Sequence, residues 1–280
     1  MKVFISVDME GITGLVTWGQ CSGPRSEVYD YQFARERMTA DTNAAIRGAF
    51  AAGATEVVVK DSHNNSKNLL IDKLEPGVSL ISGYGNGTAG MMSGMDRECT
   101  AALLVGYHAM AGTKAAVMEH TLNDSVHQLW INDRKTGEIG LSAGLAGCYD
   151  VPIVMISSDQ AGCDELLKIN PKAASAVVKT GIGRFMADCL HPAQSEELIF
   201  QAAREGVERA SDMDPWAPEL PVEAKLEFKF THEADAASRI PGVRRLDGYT
   251  VEIECDSFAA AHQLLWQVIM VGGAGGSANR

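Results

Sequence analysis

The sequence predicts an α/β protein, a mainly parallel sheet with flanking helices followed by a smaller C-terminal α+β module. Between Lys2 and Lys179, short β-branched runs alternate with longer amphipathic or Ala-rich stretches, the pattern of βαβ units around a buried sheet. The segment Asp212–Pro221 then carries Pro215, Pro218 and Pro221, which no regular element tolerates at that density. Beyond it, Val222–Phe230 alternates apolar and polar residues, as a half-solvated antiparallel strand does.

Each element follows from local signals. Lys2–Val7 opens the sheet, and Tyr31–Ala52 is a helix closed by Gly53. The strands Glu56–Lys60, Val78–Ser82, Ala101–Gly106 and Leu129–Asn132 follow. Glu138–Tyr149 is helical, Val151–Ser157 extended, and Asp159–Ile169 helical with Pro171 beyond its end. Strand Ala173–Lys179 leads to helix Pro192–Ala210, where Pro192 occupies the first turn and its missing N–H is not needed. A domain boundary is expected at 212/213. In the module 213–280, Thr231 is expected to cap a short helix, and Thr250–Cys255 and Asp256–Val271 read as strand and helix. The Gly-rich stretch Gly272–Ser277 is expected to fray.

Composition narrows the function. The 280 residues carry 24 Lys+Arg against 36 Asp+Glu, a formal net charge of −12, which repels nucleic acid and anionic membranes. The six cysteines are scattered without a CxxC pair and read as reduced thiols of a cytoplasmic protein. Asp8 and Glu10 interrupt the first apolar run, so no signal peptide is expected, and no stretch is long enough to span a bilayer.

The chemistry gathers at strand ends. Side chains two apart on an extended segment point the same way, so Asp8 and Glu10 project together from the first strand, and Asp61 and His63 from the second. The strand Ala101–Gly106 ends in Tyr107-His108. In a parallel sheet these ends share the carboxyl edge, where α/β proteins build their sites, and acids with imidazoles there point to a metal centre. Glu138, at a helix start, is either a dipole-stabilised cap or a fifth ligand. His120, in Met118-Glu119-His120, is open to the roles of ligand, general base or nucleophile. Asp61 is expected to orient His63, and Asn132 or Asp133 to position the helix start carrying Glu138. A formal GxGxxG at Gly85, Gly87 and Gly90 lacks the strand–helix context of a nucleotide loop and reads as a loop bordering the site. His127, His191, His232 and His262 belong to no such cluster and read as structural.

In order, Ser6-Val7-Asp8-Met9-Glu10-Gly11, Asp61-Ser62-His63, Gly106-Tyr107-His108, Val117-Met118-Glu119-His120, Ile131-Asn132-Asp133-Arg134 and Gly137-Glu138-Ile139-Gly140-Leu141 resemble the zinc-dependent D-aminopeptidase family associated with dipeptide-transport operons. The resemblance implies two zinc ions per subunit on Asp8, Glu10, His63, His108 and Glu138, with Asp8 touching both. It implies His120 as the catalytic residue, short peptides with an N-terminal D-amino acid as substrate, and a ring-shaped homo-oligomer, a decamer being one stoichiometry. Residues 1–212 then form the catalytic domain and 213–280 an oligomerisation module. The segment Val16–Val28, with Trp18, Cys21 and Pro24, is expected to shape the pocket. The rival readings are another dinuclear-metal amidohydrolase or phosphatase, and a non-catalytic peptide-binding protein.

Overall fold

Val3, Ile5 and Val7 of strand β1 (Lys2–Val7) face one side of a sheet while Phe4 and Ser6 face the other, and all five are fully buried. Burial on both faces is why the segment reads as a continuous apolar run rather than an alternation. The structure is a computed structural model that describes residues 1–21, 28–85 and 90–277.

Helix α1 (Val28–Ala51) leads to β2 (Glu56–Asp61), β3 (Val78–Ile81) and β4 (Cys99–Val105). A second group follows: β5 (Val126–Ile131), β6 (Arg134–Lys135) and α2 (Glu138–Cys148). Then come β7 (Ile153–Asp159), α3 (Gln160–Leu167), β8 (Ala174–Gly183), β9 (Met186–Cys189) and α4 (Pro192–Glu208). The chain closes with β10 (Val222–Phe228), α5 (Thr231–Ala237), β11 (Arg244–Arg245), β12 (Thr250–Cys255) and α6 (Phe258–Ser277).

The main sheet has the order β3-β2-β1-β4-β7-β8-β9, parallel except at the β8–β9 hairpin. Helices α1 and α4 cover the face carrying Val3, Ile5 and Val7. They pack closely because Gly48 has no side chain, and a Cβ there would stand 2.4 Å from the Phe200 carbonyl oxygen. The opposite face meets α2, a second sheet and α6 in one apolar cluster that includes Phe4, Leu104, Leu145, Leu226 and Leu265.

The second sheet, β11-β12-β10-β5-β6, is antiparallel. Here the structure corrects the expectation that Leu129–Asn132 joins the parallel sheet, because Leu129 of β5 pairs with Leu226 of β10. Asn132 (φ 48°) and Asp133 (φ 62°) form a two-residue turn into β6, and a tight hairpin of this kind forces an antiparallel partner. The sheet thus draws strands from both sides of position 212/213.

Two further expectations are corrected. The Gly-rich stretch does not fray: α6 runs through to Ser277. Its glycines let the helix approach its neighbours, since a Cβ at Gly272 would stand 2.4 Å from the Phe228 ring and one at Gly275 2.6 Å from Ala236. Thr231 is the first helical residue of α5 rather than its cap, and the Glu233 carboxylate accepts the Phe230 N–H at 3.1 Å. No helix among the described residues is long and apolar enough to cross a membrane.

Candidate metal centre

The loops after β1 and β4 are locked together at the carboxyl edge of the main sheet. Asp8 N donates to Val105 O at 2.8 Å, and Gly11 N to Gly106 O at 2.8 Å. Two glycines permit the approach: Gly106 adopts φ +69°, and a Cβ at Gly11 would stand 1.9 Å from the Tyr107 carbonyl oxygen. Asp8, Glu10 and His108 are thereby held within one cluster whose ligand-type atoms all lie within 4.8 Å of one another.

His63 arrives from the end of β2. Asp61 does not touch its ring, contrary to expectation. The Asp61 carboxylate instead accepts Asn68 N at 2.6 Å, Leu69 N at 2.8 Å and Asn68 Nδ2 at 2.9 Å, while the same Asn68 amide donates to His63 O at 2.8 Å. The acid therefore folds the loop that delivers the imidazole. His63 Nδ1 lies 3.1 Å from Glu10 Oε2 and 3.3 Å from Asp8 Oδ1.

Glu138 is the first residue of α2, and its carboxylate turns away from its own helix to accept Leu122 N at 2.7 Å. The expected support from Asn132 and Asp133 is absent, since Asn132 bonds Glu219 O and Glu223 N while Asp133 pairs with Lys225. Both bind the strand that follows the proline-rich linker. Glu138 Oε1 stands 3.4 Å from His108 Nε2 and 3.8 Å from His120 Nε2.

Two main-chain carbonyls orient the imidazoles. His108 Nδ1 donates to Ala109 O at 3.0 Å and His120 Nδ1 to Met118 O at 2.9 Å, which turns each Nε2 towards the acids. The Trp18 ring meets His120 edge-on at 5.1 Å. The structure thus brings together all six residues singled out in the sequence.

Packing three acids in one buried site creates a strong demand for positive charge. Burial, reinforced by Glu10, pushes Asp8 up to about 7. Burial also opposes ionisation of Glu10 and Glu138, yet His63 and His108 respectively hold them below the usual carboxylate range. His63 is pushed up to about 10, its burial outweighed by Glu10 and Asp8. His120 alone among the three imidazoles is lowered, by burial and by the adjacent His108. Among the described residues, Asp8 Oδ2 and His108 Nε2 are buried without a hydrogen-bond partner, 3.4 Å apart. A divalent cation would satisfy both, and a nitrogen and oxygen donor set of this composition suits zinc.

A cavity of about 1050 Å³ opens beside the cluster, bordered by Asp8, Glu10, His63, His120, Glu138 and Trp18. Cys21, Gly85 and Gly90 also line it, as a pocket-shaping segment and a bordering loop do, while Pro24 and Gly87 lie outside the described residues.

The sequence reading missed Lys179. Its buried ammonium, on β8 opposite the last residue of β7, Asp159, donates to Glu10 O at 2.6 Å, Ile12 O at 2.8 Å and Leu15 O at 2.6 Å. Burial lowers it to about 8. The available signal was a lysine on a strand of the same sheet, a residue type that a search for ligands passes over. Glu165, also missed, accepts Met110 N at 2.8 Å, and burial pushes it up to about 7.

A parallel sheet whose carboxyl edge gathers buried acids and imidazoles beside an open cavity is the framework of a metallohydrolase. The peptidase M55 family, described as D-aminopeptidase, matches residues 1–267, and the chain belongs to this family. A D-aminopeptidase of Bacillus subtilis (strain 168) is 36% identical over 268 residues, 95% of either chain. The solved structure of the Zn-dependent D-aminopeptidase DppA from Bacillus subtilis, described as a self-compartmentalizing protease, superposes with a TM-score of 0.93 at 34% identity, covering 98% of each chain.

Proposed function

We propose that this protein is a dinuclear zinc aminopeptidase that releases D-amino acids from the amino end of short peptides. The observation that carries the reading is the convergence of Asp8, Glu10, His63 and Glu138 at the wall of one cavity, with His108 buried against Asp8 and Glu138. Asp8, Glu10, His63, His108 and Glu138 would hold the zinc, and the two Asp8 oxygens face different imidazoles, Oδ1 towards His63 and Oδ2 towards His108. Zinc bound there would supply Lewis acidity to the scissile carbonyl and to the attacking water.

The chain's own groups do the rest. His120 Nε2 is an acceptor of lowered basicity beside Glu138, suited to take a proton from water and return it to the leaving amine. Trp18 restrains the His120 ring by its edge contact, and Lys179 holds the loop from Glu10 to Leu15 through three carbonyls. The peptide's amino terminus is held at the acidic cluster.

The protein is assigned to the cytoplasm on its six unpaired cysteines. It is assigned to a homo-oligomeric ring, a decamer being the stoichiometry to test, with residues 213–280 in the assembly. Exposed Leu220, Phe230, Leu246, Tyr249 and Val271 in that segment support the assignment.

The deciding experiment gives zinc-loaded protein D-Ala-D-Ala and L-Ala-L-Ala and reads the free amino acid. Hydrolysis of the D-dipeptide with little of the L-dipeptide is expected. Equal rates on both, or no turnover with zinc bound, would overturn the reading.

A further inference from the structure

We propose that Lys60 binds the free α-carboxylate of the peptide, so that the site recognises short substrates by both ends at once. The inference rests on the aminopeptidase reading above and adds a second anchor to it.

Lys60 lies on β2 opposite Ser6 of β1, two residues before Asp8. Paired residues of neighbouring strands point to the same face, so Lys60 shares the side on which Ser6 Oγ meets Ser62 Oγ at 2.7 Å and Met91 O at 2.8 Å. The side chain is 4% exposed, yet it forms part of the cavity wall with Ser62, Ser82 and Ser93. A lysine buried to this degree normally has an acid beside it. Among the described residues Lys60 has no ion pair, and its ammonium donates to a single neutral acceptor, the Asp61 carbonyl. The neighbouring Asp61 carboxylate spends its oxygens on Asn68 and Leu69. Burial lowers the Lys60 ammonium from its ordinary value, and Asp61 only partly opposes this. An ammonium carries three donors, so Lys60 retains capacity for a carboxylate that enters the cavity.

The spacing suits a short peptide. Two residues of strand rise put the Ser6–Lys60 level about 7 Å behind Asp8, and an extended dipeptide spans about 7 Å. A peptide whose amino group sits at the acids therefore carries its carboxylate to the level of Lys60. A long chain would have to continue past the ammonium without satisfying it.

The test measures kcat and KM of the zinc-loaded full chain for D-Ala-D-Ala and for its C-terminal amide. The charge-assisted contact predicts a KM for the amide about ten- to a hundredfold higher, with kcat changed far less. Lys60→Met should collapse the ratio by raising KM for the free acid, and Lys60→Arg should restore most of it. Equal KM values for acid and amide in the wild type would overturn the assignment, with no need for any variant to fold. So would a Lys60→Met protein that raised both KM values equally. D-Ala-D-Glu α-amide, which keeps only a side-chain carboxylate, should behave like the amide; binding as tight as the free dipeptide would overturn the α-carboxylate assignment. No turnover of any of these peptides would overturn the aminopeptidase reading itself, and this one with it.

Discussion

The imidazoles of His108 and His120 are stacked, with centroids 4.0 Å apart and planes 11° from parallel. They come from different segments, one at the end of β4 and the other in the loop before β5. Each donates Nδ1–H to a nearby carbonyl and turns Nε2 towards Glu138. The stack makes His108 the principal charge acting on His120, so a cation on the first ring lowers proton affinity on the second. Two chemically identical side chains are thereby set apart.

His120→Ala is expected to keep its zinc and lose turnover by about a hundredfold or more, the usual range for removing a general acid–base group. Metal content measured alongside peptide hydrolysis checks this. A variant that lost metal in step with activity would make His120 a ligand.

Glu10→Gln keeps the shape of the side chain but removes the charge facing His63 Nδ1 at 3.1 Å. Zinc affinity should fall by at least tenfold, read by competition with a chelating dye. Full metal content with unchanged activity would remove Glu10 from the ligand set.

Lys179→Met should loosen the Glu10–Leu15 loop, since three carbonyls lose one shared donor in a buried site. The expected result is weaker zinc binding, by about ten- to a hundredfold, with the Tm of the zinc-saturated protein lowered more than that of the metal-free form. Unchanged zinc affinity would reduce Lys179 to a packing role.

Asp41 offers a pH test away from the metal. Burial pushes it up to about 6 against the bonds from Thr13 N and Oγ1, at 3.0 and 2.9 Å. The folded protein holds this proton up to about pH 6, whereas an unfolded chain releases it near 3.8. Stability from this group is therefore complete below about pH 4 and declines as pH rises through 6, by about 2–3 kcal/mol in all. Asp41→Asn should remove the decline, so its Tm advantage over the wild type should be larger at pH 7 than at pH 4. Equal Tm differences at both pH values would contradict this.

Much of the site was legible because it depends on residue type and strand parity. Asp8 with Glu10, and Asp61 with His63, stand two apart on extended segments, and parallel strands bring their carboxyl ends to one edge. The actual work of Asp61, Asn132 and Asp133 was not legible, because each binds a partner that only folding brings near. Asp61 reaches Asn68 across a loop, and Asn132 reaches Glu219 in the proline-rich linker.

The sequence by itself determined the strands and helices of the parallel sheet, whose β-branched runs and capping residues are local signals, and the order in which the acids and imidazoles arrive. The tertiary structure decided what local signals do not carry. It paired β5 with β10 in a second sheet, kept the Gly-rich end of α6 helical against Phe228 and Ala236, and buried the ammoniums of Lys60 and Lys179 against main-chain carbonyls near the site. The physical reason is common to all three. Strand pairing, close helix approach and burial of a charge depend on which distant groups meet, whereas periodicity reports only which face of a segment is apolar.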